Sequence, residues 1–178
     1  MDVFVEQIVK KKSETVDKLK IAGIIVLVFV LSFVCVFILP GLHQIFFSLS
    51  FALVAGVVYG AWVLITGMNL EFEYAVTNGD VTVDKIIAKR RRKRLVTVDA
   101  KNVEAMGKYK EADHASRQYD KTLMACDSPS NDQNWYMTFR HKTFGNTLLV
   151  FSPDERTLQA IKPFLPRQIA MEAFSRFR

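Results

Sequence analysis

The sequence predicts a membrane-spanning α-helical hairpin followed by a mostly-β soluble domain. Three observations carry this. Ile21–Leu39 and Ile45–Met68 are two runs without a charged side chain, separated only by the five residues Pro40–Gln44. From Leu70 the apolar residues alternate at a period of two, the spacing of a half-buried strand. Turn-forming pairs, beginning with Asn78-Gly79, then punctuate the chain.

The two apolar runs come first. At 1.5 Å per residue, each approaches the roughly 30 Å of a bilayer's hydrocarbon core. A core helix of a globular protein carries a polar stripe, and neither run has one. Pro40-Gly41 stops the first helix, because proline lacks the donor a helix needs and glycine accepts a turn. The competing reading of the first run, a secretory signal, fits poorly. The run is long, no small-residue cleavage pattern follows it, and a second run comes almost at once. Lys10, Lys11, Lys12, Lys18 and Lys20 precede the hairpin, and Lys85 and Lys89–Arg94 follow it, while the connecting turn has no Lys or Arg. The positive-inside bias then puts both termini in the cytoplasm of a multi-pass cell-membrane protein. Ala52, Gly56 and Gly60 are helix-packing candidates at four-residue spacing. They would pack against the first span or against a second copy, since small residues let helix backbones approach closely.

The 178 residues and net charge of +6 divide into a basic N-terminal flank (1–20), the hairpin (21–68, with spans 21–39 and 45–68), a β domain with a closing helix (69–165) and a tail (166–178). In the flank, Phe4, Val5, Ile8, Val9, Val16 and Leu19 recur at roughly helical spacing. This fits a helix lying among lipid headgroups, or a solvated tail whose lysines set topology. Beside two spans, the basic balance points to anionic lipid before nucleic acid. Cys35 and Cys126 fall on different elements, so neither a disulfide framework nor a metal knuckle is indicated.

Within the β domain, Leu70, Phe72, Tyr74 and Val76 alternate with polar or small residues, and Asn78-Gly79 turns the chain into a strand from Asp80 to about Lys89. A two-residue turn sets the register: Val76 opposite Val81, Tyr74 opposite Val83, Leu70 opposite Ile87, with Glu73 awkwardly opposite Asp84. Six consecutive cations, Lys89, Arg90, Arg91, Arg92, Lys93 and Arg94, form the next turn, and Leu95–Asp99 is a third strand. Residues 100–106 read as a helical turn or a strand, and 107–121 as a loop. Strands follow at Thr122–Cys126, at Trp135–Arg140 with Trp135, Tyr136 and Phe139 read as core, and at Thr147–Phe151. The last is apolar on both faces and so should be central. Ser152-Pro153-Asp154-Glu155 starts a helix, with Ser152 as cap and Pro153 at the first position. Arg167–Arg178 could add a short helix bearing Ile169, Phe174 and Phe177, packed on the domain or lying on the membrane.

Two apolar helices, then Tyr74-Ala75-Val76-Thr77-Asn78-Gly79-Asp80-Val81, a basic segment, Leu95-Val96-Thr97-Val98 and Val103 together resemble the bacterial pleckstrin-homology-like (PH-like) membrane proteins. The resemblance covers about Leu70–Leu165. It implies a bent sheet or partly open barrel capped by a C-terminal helix, with the seventh strand drawn from Val103–Tyr109. The tight Asn78-Gly79 turn departs from the long basic first loop of the lipid-binding eukaryotic domains of that fold.

For function, the basic run Lys89–Arg94 is the lipid-headgroup-binding candidate. The strand leaving the membrane at Asn69 and its antiparallel return bring the run back to the bilayer, where each cation near an anionic leaflet contributes about 1 kcal/mol. The plainer reading is a solvated turn that only orients the spans. His43, His114 and His141 lack companions at metal-ligand spacing, and Asp127, Asp132 and Asp154 read as turn and capping residues. No nucleophile or phosphate-loop pattern is present, so no enzyme, metal or cofactor is indicated. The expected role is a non-enzymatic binding or scaffold module at the cytoplasmic face, docking on anionic lipid headgroups or a protein partner. The alternative is an accessory subunit of a larger membrane complex, or a homodimer, that uses the hairpin as its contact surface.

Overall fold

The computed structural model describes residues 3–38, 41 and 45–175. They divide into two compact units, one of residues 13–69 and one built from the chain up to Lys12 and from Leu70 onward. The β unit is therefore discontinuous, with the apolar helices inserted between its first and second strands.

In the helical unit, α1 spans Thr15–Phe33, continues as a π-helical turn over Val34–Ile38, and is followed by α2, Ile45–Gly67. The first helix starts six residues before the apolar run (Thr15 against Ile21), because Glu14 and Asp17 form a reciprocal capping box ahead of it. Both helices are long and apolar enough to cross a membrane, and almost none of either is buried. Most of the predicted Pro40–Gln44 turn lies outside the described residues, as does Phe177.

The first sheet of the β unit has the order β1-β2-β3-β4, all antiparallel: Phe4–Lys10, Leu70–Thr77, Asp80–Ile87 and Arg91–Asp99. The N-terminal flank is thus divided: Phe4–Lys10 is a strand and not a surface helix, while Val16 and Leu19 belong to the start of α1. Val5, Gln7 and Val9 point inward while Phe4, Glu6, Ile8 and Lys10 point out. The apolar residues of this flank satisfy both periods, and pairing along the whole of β2 decides between them. The β2–β3 register matches the sequence reading, including Glu73 opposite Asp84. Between β3 and β4 the pairing shifts at Leu95, which bulges between Arg94 opposite Asp84 and Val96 opposite Val83.

The second sheet, β5-β7-β8-β6, comprises Val103–Lys108 (β5), Lys121–Ala125 (β6), Trp135–His141 (β7) and Gly145–Phe151 (β8), with β6 parallel to β8. β5 supplies the strand expected between Val103 and Tyr109, and β8 is central. In place of one bent sheet or barrel there are two four-stranded sheets. A 3-10 turn at Ala100–Asn102, capped by the Asp99 carboxylate accepting from Lys101 N–H at 2.9 Å, carries the chain from one to the other. The shared core holds Tyr74, Val83, Trp135, Met137, Phe139 and Phe151. A one-turn α3 (Glu111–His114) interrupts the predicted 107–121 loop.

Two helices close the unit: α4, Glu155–Ile161, and α5, Arg167–Ser175. Asp154, and not Ser152, caps α4, accepting from Thr157 N–H at 2.7 Å. The C-terminal segment packs: Ala173 is buried, and Phe174 lies 5.4 Å from Trp135, centroid to centroid. The β unit therefore extends past the predicted boundary at Leu165.

Candidate functional site

Sheet registration gathers the basic residues at one end of the first sheet. Lys10 pairs with Glu71, Leu70 with Ile87, and Ile87 with Arg91. Lys12 and Leu70, where the chain leaves and re-enters the β unit, thus lie at the same end as the β3–β4 connection, and Lys11 N–H donates to the Leu70 carbonyl at 2.9 Å. Asn78-Gly79 lies at the opposite end.

The connection itself is Ala88–Arg90. Arg90 N–H closes the turn on the Ile87 carbonyl at 3.0 Å, and Ala88 and Lys89 sit at φ 53° and 56°. Consecutive positive φ values are the signature of a turn that favours Asn and Gly. Ala and Lys have no local compensation there, and each costs about 1 kcal/mol or more relative to glycine. Strain of this kind concentrates where a position is selected for something other than the fold.

The six cations do not form one turn. Lys89 and Arg90 are in the connection, and Arg91–Arg94 open β4. Strand alternation then divides those four. Arg92 and Arg94 share the outer face of the sheet with Glu73 and Asp84. Arg92 Nη2 lies 2.7 Å from Glu73 Oε2, an ion pair without hydrogen-bond alignment, and Arg94 Nε donates to Asp84 Oδ1 at 3.2 Å. The awkward carboxylate pair foreseen in the register is present, and β4 neutralises it. Burial pushes the Glu73 carboxyl up, Arg92 opposes this, and a hydrogen bond with Glu6 adds to the rise. Arg91 and Lys93 face the other way, beside Ile87 and Lys85.

A second feature of this end was not foreseen. Lys12 N–H donates to the Asp127 carbonyl and Lys12 Nζ pairs with Asp127 Oδ2, both at 2.7 Å. Burial disfavours the charged Asp127 carboxylate, but Lys12, the Asn131 amide, Ser128 N–H and the Ser152 hydroxyl together hold its pKa down at about 2. Ser152 Oγ also lies 2.6 Å from Asn134 Oδ1, and Ser152 N–H donates to the Tyr74 hydroxyl, which itself donates to the Ala125 carbonyl. Ser152 is thereby drawn away from the helix-capping role its neighbours suggest. No local sequence signal marks this network, whose members lie up to 140 positions apart (Lys12 to Ser152).

The remaining candidates resolve as follows. His114 is buried against Tyr109, Tyr119 and Tyr136, accepting or donating to the Tyr119 hydroxyl at 2.8 Å. Burial first, then Arg117, lowers its pKa, so it packs as an aromatic ring. In α2, Ser50, Val54, Val57 and Ala61 form the more buried stripe, as three- and four-residue spacing requires. Ala52 and Gly56 fall on the opposite face. Gly60 is half-buried, and among the described residues a Cβ added at Gly56 or Gly60 would meet nothing within 4 Å.

Comparison with curated proteins and with solved structures finds no match. A family model does match, over residues 1–171, and its span takes in β1, both apolar helices and both sheets. With a two-sheet β unit closed by C-terminal helices, and a matched region that covers nearly the whole chain, the protein belongs to the bacterial PH-like domain family (DUF6106).

Proposed function

We propose that the chain is a non-enzymatic, membrane-anchored binding module. In this reading α1 and α2 cross the membrane, both termini are cytoplasmic, and the β3–β4 tip docks the β unit on anionic lipid headgroups. PH-like domains are generally non-catalytic binding modules, which fits the reading. The observation that carries it is the tip: a strained, strongly basic turn at the very end of the sheet where the chain enters and leaves the apolar helices. Cations held within a Debye length of an anionic leaflet are attracted to it.

The test uses the full chain in nanodiscs of phosphatidylcholine with or without phosphatidylglycerol. Amide exchange across 87–94 should slow when phosphatidylglycerol is present, and raised salt should reverse the effect. Equal exchange in both lipids refutes the docking. A second reading, in which the hairpin contacts another membrane helix, is favoured by the exposed face of Ala52 and Gly56. Replacing 13–69 by an unrelated apolar hairpin separates the two, since headgroup docking survives the swap and helix contact does not.

A further inference from the structure

Resting on the docking reading above, we propose that one face of the β3–β4 hairpin is the lipid site: Lys85, Arg91 and Lys93 form a cradle for the phosphate of an anionic headgroup. Arg92 and Arg94, on the other face, are structural counter-charges. The alternation of β4 makes this division. Lys93 is directly opposite Lys85, and Arg91, opposite Ile87, lies diagonally beside Lys85. Side chains directly opposite on neighbouring strands have Cβ atoms about 5 Å apart, and like charges in that relation destabilise a sheet.

Among the described residues, no carboxylate relieves this trio. The acids of the sheet that pair with the run, Glu73 and Asp84, are on the outer face and are held by Arg92 and Arg94. Among the described residues, none of Lys85, Arg91 and Lys93 has an ion-pair partner. An anion placed between the three turns their repulsion into attraction. A phosphate suits the set, because a guanidinium binds two of its oxygens in parallel while ammonium groups neutralise the rest. Leu70 and Ile87 continue the same face as half-buried apolar neighbours, the surroundings that the glycerol and upper acyl region of a lipid would meet. A free phosphate ion gains nothing from them, which is why the lipid is the favoured source. Lys85 stands outside the six-residue basic run and joins the site only through register.

The experiment compares two charge-removing variants of the full chain in the same nanodiscs. Lys85→Gln/Arg91→Gln/Lys93→Gln should abolish the slowing of 87–94 exchange by phosphatidylglycerol, while apparent melting temperature in phosphatidylcholine is kept or raised as like-charge repulsion is removed. Arg92→Gln/Arg94→Gln should retain the slowing but melt earlier, with Glu73 and Asp84 left unpaired. Lys85→Arg/Lys93→Arg, which keeps all three positive charges, should retain docking, and loss of docking by it would also overturn the inference. The inference is overturned if the double variant loses the lipid effect as fully as the triple, or if the triple retains it. It is also overturned if inorganic phosphate protects 87–94 equally in phosphatidylcholine alone. If the unaltered chain shows no lipid dependence, the docking reading itself falls, an outcome distinct from either of these.

Discussion

The two ends of the first sheet use similar backbone geometry and opposite chemistry. At one end Asn78 and Gly79 have φ 50° and 97°, and at the other Ala88 and Lys89 have φ 53° and 56°. The Asn-Gly turn is filled with the residues its geometry favours and is packed into the unit. Asn78 Oδ1 accepts from Val3 N–H at 3.0 Å, Asn78 N–H donates to the Val3 carbonyl at 3.0 Å, and the Gly79 carbonyl accepts from Ala100 N–H at 2.8 Å. The Ala-Lys turn has the wrong residues for its geometry and carries charge at its tip. One turn serves the fold. The other combines strained residues and cations at the end where the chain passes into the apolar helices, and there a separate tie, the Lys12–Asp127 pair, joins segments distant in sequence.

Breaking the well-adapted end should have the largest effect. A Cβ at Gly79 would sit 2.9 Å from Cγ and Cδ1 of Phe164 and 3.1 Å from its Cβ. The root of that side chain cannot swing away as a tip could. Adding the cost of positive φ, Gly79→Ala should destabilise the β unit by about 3 kcal/mol. Lowered apparent melting temperature of the full chain, with the helical circular-dichroism signal of the apolar helices retained at temperatures where the β unit has melted, is the expected result.

The tie at the basic end comes next. Lys12 and the hydrogen bonds around it hold the Asp127 carboxyl down at about 2, below its ordinary 3.8. A depressed carboxylate pKa stabilises the fold at pH values above the unfolded pKa, and this contribution fades as pH falls from about 3.8 towards 2. Asp127→Asn should therefore cost about 2 kcal/mol at pH 7 and progressively less below pH 4. Melting temperatures of the two proteins should converge in acid. A constant gap down to pH 2 would show that the loss comes from packing of the amide and not from the charge.

The same contrast governs what could be read from sequence. At the Asn-Gly end the information is local: a two-residue turn with matched apolar neighbours sets Val76 against Val81 and Tyr74 against Val83, and the structure has both. Elsewhere the deciding contacts are distant. β1 pairs with residues more than sixty positions along (Lys10 with Glu71), across the whole hairpin. Its Phe4, Val5, Ile8 and Val9 suit a helix face as well as a strand, and only the partner resolves them. The parallel pairing of β6 with β8 has no turn to announce it. The candidate site shows the same limit. Six adjacent cations are visible in the sequence, but which of them are neutralised depends on a bulge at Leu95 and on carboxylates from two other strands. A one-residue shift would exchange the two faces, which is why Lys85 belongs with Arg91 and Lys93 only once the register is known.

Relieving the strain at the basic tip has the smallest effect and discriminates most sharply between fold and function. Ala88 carries no charge and makes the same left-handed turn that glycine would adopt without penalty. Ala88→Gly should raise stability by about 1 kcal/mol and leave the phosphatidylglycerol dependence of 87–94 exchange unchanged. Lys89→Gly relieves strain of the same kind at φ 56° but removes a cation, so it should stabilise by a similar amount while weakening docking about fivefold, the equivalent of about 1 kcal/mol. Measured together, the two variants ask whether the poor turn residues are there for charge. If both stabilise and only Lys89→Gly weakens docking, the second turn residue is kept for its ammonium group, and Ala88 marks a position where the fold could be improved without functional loss. If Ala88→Gly also weakens docking, the rigidity of the tip and not its charge alone positions the cations, and the tight turn itself becomes part of the site.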